Sequence, residues 1–255
     1  MRMIHSFLLI GQSNMAGRGF REDVQFIENG RLHVLRNGRW QPMDFPVNHD
    51  RSVSGVCLAE SFADECSRFF DIDVGLIPCA DGGTTVSQWQ PGEILYDHAV
   101  FQAKLAQRTS AIAGVLWHQG ESDCREEHWP YYEERCRNVF EAIRKDLNLS
   151  DHIPFMIGGL ADFLAESKET LERHPYLVNY PKVDRSLRNL AENNDYIGYV
   201  SVKGLTCNPD HLHFDARSLR VLGKRYFEKF KEMNQVIQKG GDALFDDGYT
   251  EIERL

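Results

Sequence analysis

The chain has 255 residues, of which 42% are hydrophobic and 26% charged, and its formal net charge is −9. That is the composition of a soluble globular protein and not of a disordered one, at a length that one α/β domain can occupy. The acidic balance argues against nucleic acid, which needs clustered Lys and Arg, and against an anionic lipid surface, while a neutral substrate is compatible with it.

The chain opens with Met1-Arg2-Met3 and a short apolar stretch. That stretch is too short for an export signal and runs into Gly11-Gln12-Ser13-Asn14 without a small-residue cleavage pattern, so it reads as a buried first strand at 6–11. Residues 24–44 differ: Asn29-Gly30 and Asn37-Gly38 are hairpin-turn signals, which predicts a small β excursion after that strand. Near-continuous apolar runs at 73–79, 112–118, 154–160 and 196–202 read as further strands of a parallel sheet covered on both faces. Helical patterns near 56–70, 95–108, 130–147 and 179–193 alternate with them, and a last one lies near 215–236. Alternating strands and helices imply right-handed crossovers and a three-layer α/β/α sandwich around a central, mostly parallel, five-stranded sheet. Residues 1–238 read as a single domain and 239–255 as an acidic C-terminal tail behind Gly240-Gly241. No segment is long and apolar enough to span a bilayer.

Six cysteines are present: Cys57, Cys66, Cys79, Cys124, Cys136 and Cys207. None forms a C-x-x-C pair, which lowers the prior for zinc or a thioredoxin-like site. Cys57 and Cys66 share one predicted helix and lie roughly 13 Å apart along it, too far for a disulfide. With no signal segment, reduced cysteines and a cytoplasmic location are expected.

Ligands in open α/β sheets bind at the carboxyl ends of the strands, so the polar residues following each apolar run carry the interest. Ser13 follows the first strand in Gly11-Gln12-Ser13-Asn14-Met15-Ala16-Gly17. A Ser there can be a nucleophile or merely a helix N-cap, and Met15 rules out the G-x-S-x-G elbow of the α/β-hydrolases. Asp210-His211-Leu212-His213 precedes the last helix. An acid three residues before a His can orient the ring as a general base; the same residues could hold a metal, or one His could cap a helix. In Trp117-His118-Gln119-Gly120-Glu121-Ser122-Asp123 a side-chain amide at a strand end can donate to a developing oxyanion. In Asp81-Gly82-Gly83-Thr84 the paired glycines let the backbone approach a ligand, or simply make a turn.

In order, these four pieces resemble the blocks of the SGNH hydrolases. Within them they are similar to the sialate O-acetylesterase-like and acetylxylan-esterase branch, carbohydrate esterase family six. Gly-Gln-Ser-Asn-Met-Ala-Gly with Arg18, Gly-Gly-Thr with Trp89, Trp-His-Gln-Gly-Glu-Ser-Asp and Asp-x-x-His-Phe carry the resemblance, from residue 4 to about 230. It implies a flavodoxin-like sandwich and a serine esterase removing acetyl groups from a small acetylated carbohydrate, without metal or other cofactor. Ser13 would be the nucleophile, His213 the base and Asp210 its orienting acid, with Glu121 as the competing acid. The oxyanion would be held by the N–H groups of Ser13 and Gly82, or Gly83 in its place, and by the Gln119 amide. Trp89 and Trp117 are candidates for sugar stacking or for the core, and Arg18 for a local carboxylate or for substrate. A lipase or thioesterase of the same superfamily, and a silent carbohydrate-binding protein, are the alternatives.

Overall fold

The structure, a computed structural model, describes residues 3–235 and residue 237. Its strands are β1 (Ile4–Gly11), β2 (Leu32–Arg36), β3 (Arg39–Pro42), β4 (Asp73–Pro78), β5 (Ser110–His118), β6 (Phe155–Gly158) and β7 (Ile197–Val200). Its α-helices are α1 (Ser13–Ala16), α2 (Leu58–Phe70), α3 (Ile94–Ala106), α4 (Tyr132–Asp146), α5 (Lys168–Arg173), α6 (Tyr180–Glu192) and α7 (Ala216–Met233). The acidic tail expected at 239–255 lies outside the described residues.

The strands form one sheet in the order β3-β2-β4-β1-β5-β6-β7. All neighbours are parallel except the β2–β3 hairpin. The five apolar runs became β1, β4, β5, β6 and β7. The β excursion supplies the other two strands, because β2 pairs with β4 and extends the same sheet, which therefore has seven strands and not five. Asn37 and Gly38 take φ angles of 51° and 72°, the paired left-handed conformations of a two-residue hairpin turn. Asn29-Gly30 is no hairpin. There the Asn29 carbonyl and side chain receive the Leu32 and Arg31 N–H groups, turning the chain into β2.

All eight residues of β1 are buried, as a central parallel strand covered on both faces requires. On one face α2 packs against α7, and Phe7 of β1 meets Phe62 and Phe230 edge-on with ring centroids 4.8 and 5.1 Å away. The other face carries α3, α4 and α6. Side chains alternate along β5 accordingly: Trp117 packs on Phe140 of α4, while His118 bonds Tyr226 of α7.

From β1 the chain builds outward to β2 and β4 on one side, then crosses to β5, β6 and β7 on the other. The carboxyl ends of β1 and β5 thus flank a topological switch point, where open sheets bind ligands. Gly11, the last residue of β1, pairs with His118, the last of β5. Its φ is 135°, and a Cβ there would stand 2.2 Å from the His118 carbonyl oxygen, so only glycine lets the two strand ends close to this distance.

Candidate active site

Ser13 opens α1 directly above this closure and is 6% exposed. As the first residue of a helix it has an N–H without an intrahelical partner. The loop before α7 reaches over it from the far end of the sequence. Asn208 donates its backbone N–H to the His213 carbonyl, the Cys207–Phe214 bridge closes the loop, and Asp215 caps α7 through the Ser218 N–H. His211 takes φ 49° at the apex.

This loop places His213 Nε2 2.9 Å from Ser13 Oγ and His213 Nδ1 2.7 Å from Asp210 Oδ2. The other Asp210 oxygen accepts the N–H groups of Leu212 and His213 at 2.9 and 3.0 Å. Burial pushes the Asp210 carboxyl up, but the bonds from His213 and the two N–H groups outweigh it and bring it down to about 2. Ionised Asp210 fixes the proton of a neutral His213 on Nδ1 and leaves Nε2 as the acceptor facing the hydroxyl. Of the two candidate acids, Asp210 is therefore the one bonded to His213.

Glu121 lies behind this line. Its side chain is buried and its Oε1 accepts the Asn14 amide at 2.5 Å. Burial, outweighing the Asn14 bond and the nearby His213, pushes its carboxyl up. Gln119 is also fully buried. Its Nε2 lies 2.5 Å from Asp123 Oδ2, 2.9 Å from the Thr84 carbonyl and 3.2 Å from Gln12 Oε1. Two amide protons thus face three protein acceptors, and donation to an oxyanion would require one of these bonds to be exchanged.

Gly82 stands beside the serine: a Cβ on it would lie 3.5 Å from Ser13 Cβ and would strike Arg18 Nη2 and Asp50 Oδ2 at 2.5 and 2.9 Å. Its N–H donates to Asp50 Oδ2 at 2.9 Å. Arg18 in turn pairs with both oxygens of Asp50, at 2.6 and 3.1 Å, with side-chain exposures of 8% and 2%. Burial raises the Asp50 carboxyl, but Arg18, Ser54 and the Gly82 N–H together hold it below the usual range. Arg18 therefore serves a local carboxylate. Asp50, which holds the glycine loop, carries no motif of its own; the unexplained Arg18 was the one hint that such a partner existed. Asn14, inside the serine motif, was also given no role from sequence.

Trp89 and Trp117 are both fully buried and pack edge-on at 5.8 Å, so they belong to the core and offer no sugar platform. His211 turns its Nδ1 toward Cys207 Sγ at 3.6 Å. Among the described residues no group of three His, Cys, Asp or Glu side chains converges in a way that could hold a metal. Two cavities have linings that do not include Ser13. One of about 700 Å³ has Cys207, His211, Phe163 and Tyr180 in its wall. The other, of about 600 Å³, is bordered by His49, Asp50, Asp81 and His98.

Residues 3–232 match the family described as carbohydrate esterase, sialic acid-specific acetylesterase (SASA). The chain belongs to this family. It is 31% identical over 249 residues to a probable carbohydrate esterase of Arabidopsis thaliana, covering 85% of this chain and 86% of that one. The crystal structure of that Arabidopsis protein superposes with a TM-score of 0.78 at 26% identity, over 89% of this chain and 98% of the other. NanS shares the fold, with a TM-score of 0.70 at 16% identity over 91% and 97% of the two chains. So does a carbohydrate acetylesterase from Xanthomonas citri, with a TM-score of 0.69 at 18% identity over 90% of this chain and 56% of that one. The fold is that of the SGNH hydrolases, and the protein is a carboxylic ester hydrolase of the carbohydrate acetylesterase kind.

Proposed function

We propose that this esterase removes O-acetyl groups from a small acetylated sugar, a xylo-oligosaccharide or an O-acetylated sialic acid, through an acetyl-enzyme on Ser13. The observation that carries the reading is the unbroken line from Ser13 Oγ through His213 to Asp210, with contacts of 2.9 and 2.7 Å. In this mechanism Ser13 Oγ attacks the acetyl carbonyl carbon as His213 Nε2 takes the hydroxyl proton. The imidazolium, held by Asp210, then gives that proton to the departing sugar oxygen. Water attacks the acetyl-enzyme by the same route, releasing acetate and restoring Ser13.

The oxyanion role is assigned to the N–H groups of Ser13 and Gly82 and to the Gln119 amide. Ser13 brings its N–H free of an intrahelical partner; Gly82 and Gln119 take part by sharing or releasing Asp50 and an interior acceptor. The chemistry needs no cofactor. A cytoplasmic site of action is part of the proposal and is supported by six free cysteines, five of them buried.

The test is Ser13→Ala. Acetate release from acetylated xylo-oligosaccharides and sialic acids is expected to vanish, together with covalent labelling by a serine-directed phosphonate, while the circular dichroism spectrum stays unchanged. Substantial turnover by a folded Ser13→Ala protein would refute the serine mechanism.

A further inference from the structure

We propose that Glu121 is a positioning residue that fixes which way the Asn14 amide faces, and that Asn14 thereby holds the backbone on both sides of His213. The inference rests on the serine reading above.

Asn14 is 1% exposed and reaches across the site from the residue after the serine. Its Oδ1 accepts the Phe214 N–H at 3.1 Å, and its Nδ2 lies 3.3 Å from the Leu212 carbonyl oxygen. One side chain therefore grips the peptide groups immediately before and after His213. The second proton of Nδ2 goes to Glu121 Oε1 at 2.5 Å.

An amide is nearly symmetric in shape and opposite in polarity at its two ends. Turned over, Asn14 would set its oxygen against the Leu212 carbonyl and the Glu121 carboxyl, and its NH₂ against the Phe214 N–H. The Leu212 and Phe214 contacts would then pair like with like among buried groups, and so would the Glu121 contact while that carboxyl is ionised. The acceptor on Glu121 makes the observed orientation the satisfied one. Glu121 offers that acceptor whether or not its carboxyl is ionised, so it acts by hydrogen-bond polarity, unlike Asp210, which acts by charge on His213.

This separates two roles for acids in one site, and substitutions distinguish them. Glu121→Met keeps the volume and removes the acceptor. It is expected to lower kcat on the order of 10²-fold, the scale of a small misplacement of the base. KM should stay within about threefold. Glu121→Gln restores a neutral acceptor and should recover at least about tenfold of that loss. Asn14→Ala should resemble Glu121→Met, and the double variant should be no worse than Asn14→Ala within about twofold, because both act through one contact. Thermal unfolding verifies that each variant is folded. Should Glu121→Met not fold, Asn14→Ala and Glu121→Gln carry the test.

A kcat of Glu121→Met or Asn14→Ala within about threefold of the parent overturns the proposal. So does multiplication of the two losses in the double variant, or a Glu121→Gln enzyme as impaired as Glu121→Met. Ser13→Ala is run beside them. If it stays active the serine reading itself has failed; if it is dead while Glu121→Met is unimpaired, only the positioning role has.

Discussion

Replacing Asp210 by Asn changes no volume and one charge, and the structure says how the new amide would settle. Asp210 Oδ1 receives two backbone N–H groups, from Leu212 and His213, while Oδ2 receives only His213 Nδ1. The oxygen of the substituted amide would keep the two N–H groups, so its NH₂ would face the imidazole. A donor there forces the ring proton from Nδ1 to Nε2. His213 Nε2 then points a proton at Ser13 Oγ and cannot accept one. The loss expected from such a wrong tautomer is about 10⁴-fold in kcat, equivalent to about 5.5 kcal/mol on the barrier. Hydrolysis of p-nitrophenyl acetate followed between pH 6 and 9 measures it, with labelling by a phosphonate as a second reading of Ser13 nucleophilicity. Asp210 stays ionised down to about pH 2, so the loss should persist across that whole range. An Asp210→Asn enzyme within tenfold of the parent, beside a crippled Glu121→Gln, would move the triad acid to Glu121 and refute the tautomer argument.

Gln119→Ala distinguishes a catalytic from an interior amide: an oxyanion donor costs about 10²–10³-fold in kcat with KM little changed. The loss of its three interior contacts predicts, in addition, a stability loss of about 1–3 kcal/mol in urea titrations; a stability loss with an unchanged kcat would remove Gln119 from the oxyanion hole. Arg18→Met leaves the buried Asp50 carboxylate unpaired and should destabilise the fold by about 3–5 kcal/mol, again read by urea. Because the folded protein holds Asp50 below its ordinary range, the stability it contributes is present above that range and is lost as the pH falls from it through the lower folded-state value. The urea midpoint gap between parent and Arg18→Met should therefore narrow on acidification. Chelators should leave turnover unaffected; inhibition reversed by zinc would favour a metal site at Asp210, His211 and His213. Acetate esters of p-nitrophenol should turn over faster than octanoate, and the reverse order would point to a lipase or thioesterase.

The sheet was legible because its central strands are fully buried. Apolar runs such as Phe7-Leu8-Leu9-Ile10 leave no alternative to a covered strand, and the helices between them are long enough to show their period. The number of strands was not legible. Whether β2 joins the main sheet or stands apart depends on a pairing with β4 that is remote in sequence, and a hairpin signal fixes only the local turn. Four-residue α1 and six-residue α5 are too short to carry a helical period. In the site, the resemblance of two short motifs singled out Ser13, Asp210 and His213 together, and the fold brings these three side chains into one hydrogen-bonded line. Asp50 was not singled out, because it comes from an irregular loop between β3 and α2 and its importance rests wholly on what it touches. The expected donors Gly82 and Gln119 are near the serine in the fold, but the hydrogen bonds that occupy them are invisible in a sequence.

The segment after β5 shows how one motif serves the site from two sides. Glu121 and Asp123 sit on a single 3₁₀ turn, Glu121–Asp123, and each buried carboxyl receives a side-chain amide. Glu121 takes Asn14, which leads to the His213 loop, and Asp123 takes Gln119 together with the Val86 N–H, which leads to the glycine loop. Burial pushes both carboxyls up. As hydrogen-bond acceptors they remain effective when less readily ionised, because an amide needs only a lone pair. Asp210 has the opposite requirement. To stabilise an imidazolium it must be charged, and the bonds from His213 and from two N–H groups keep it so against its partial burial. In the proposed mechanism three acids near one serine are thus divided by environment: the partly exposed one orients a base by charge, and the two buried ones orient amides by polarity.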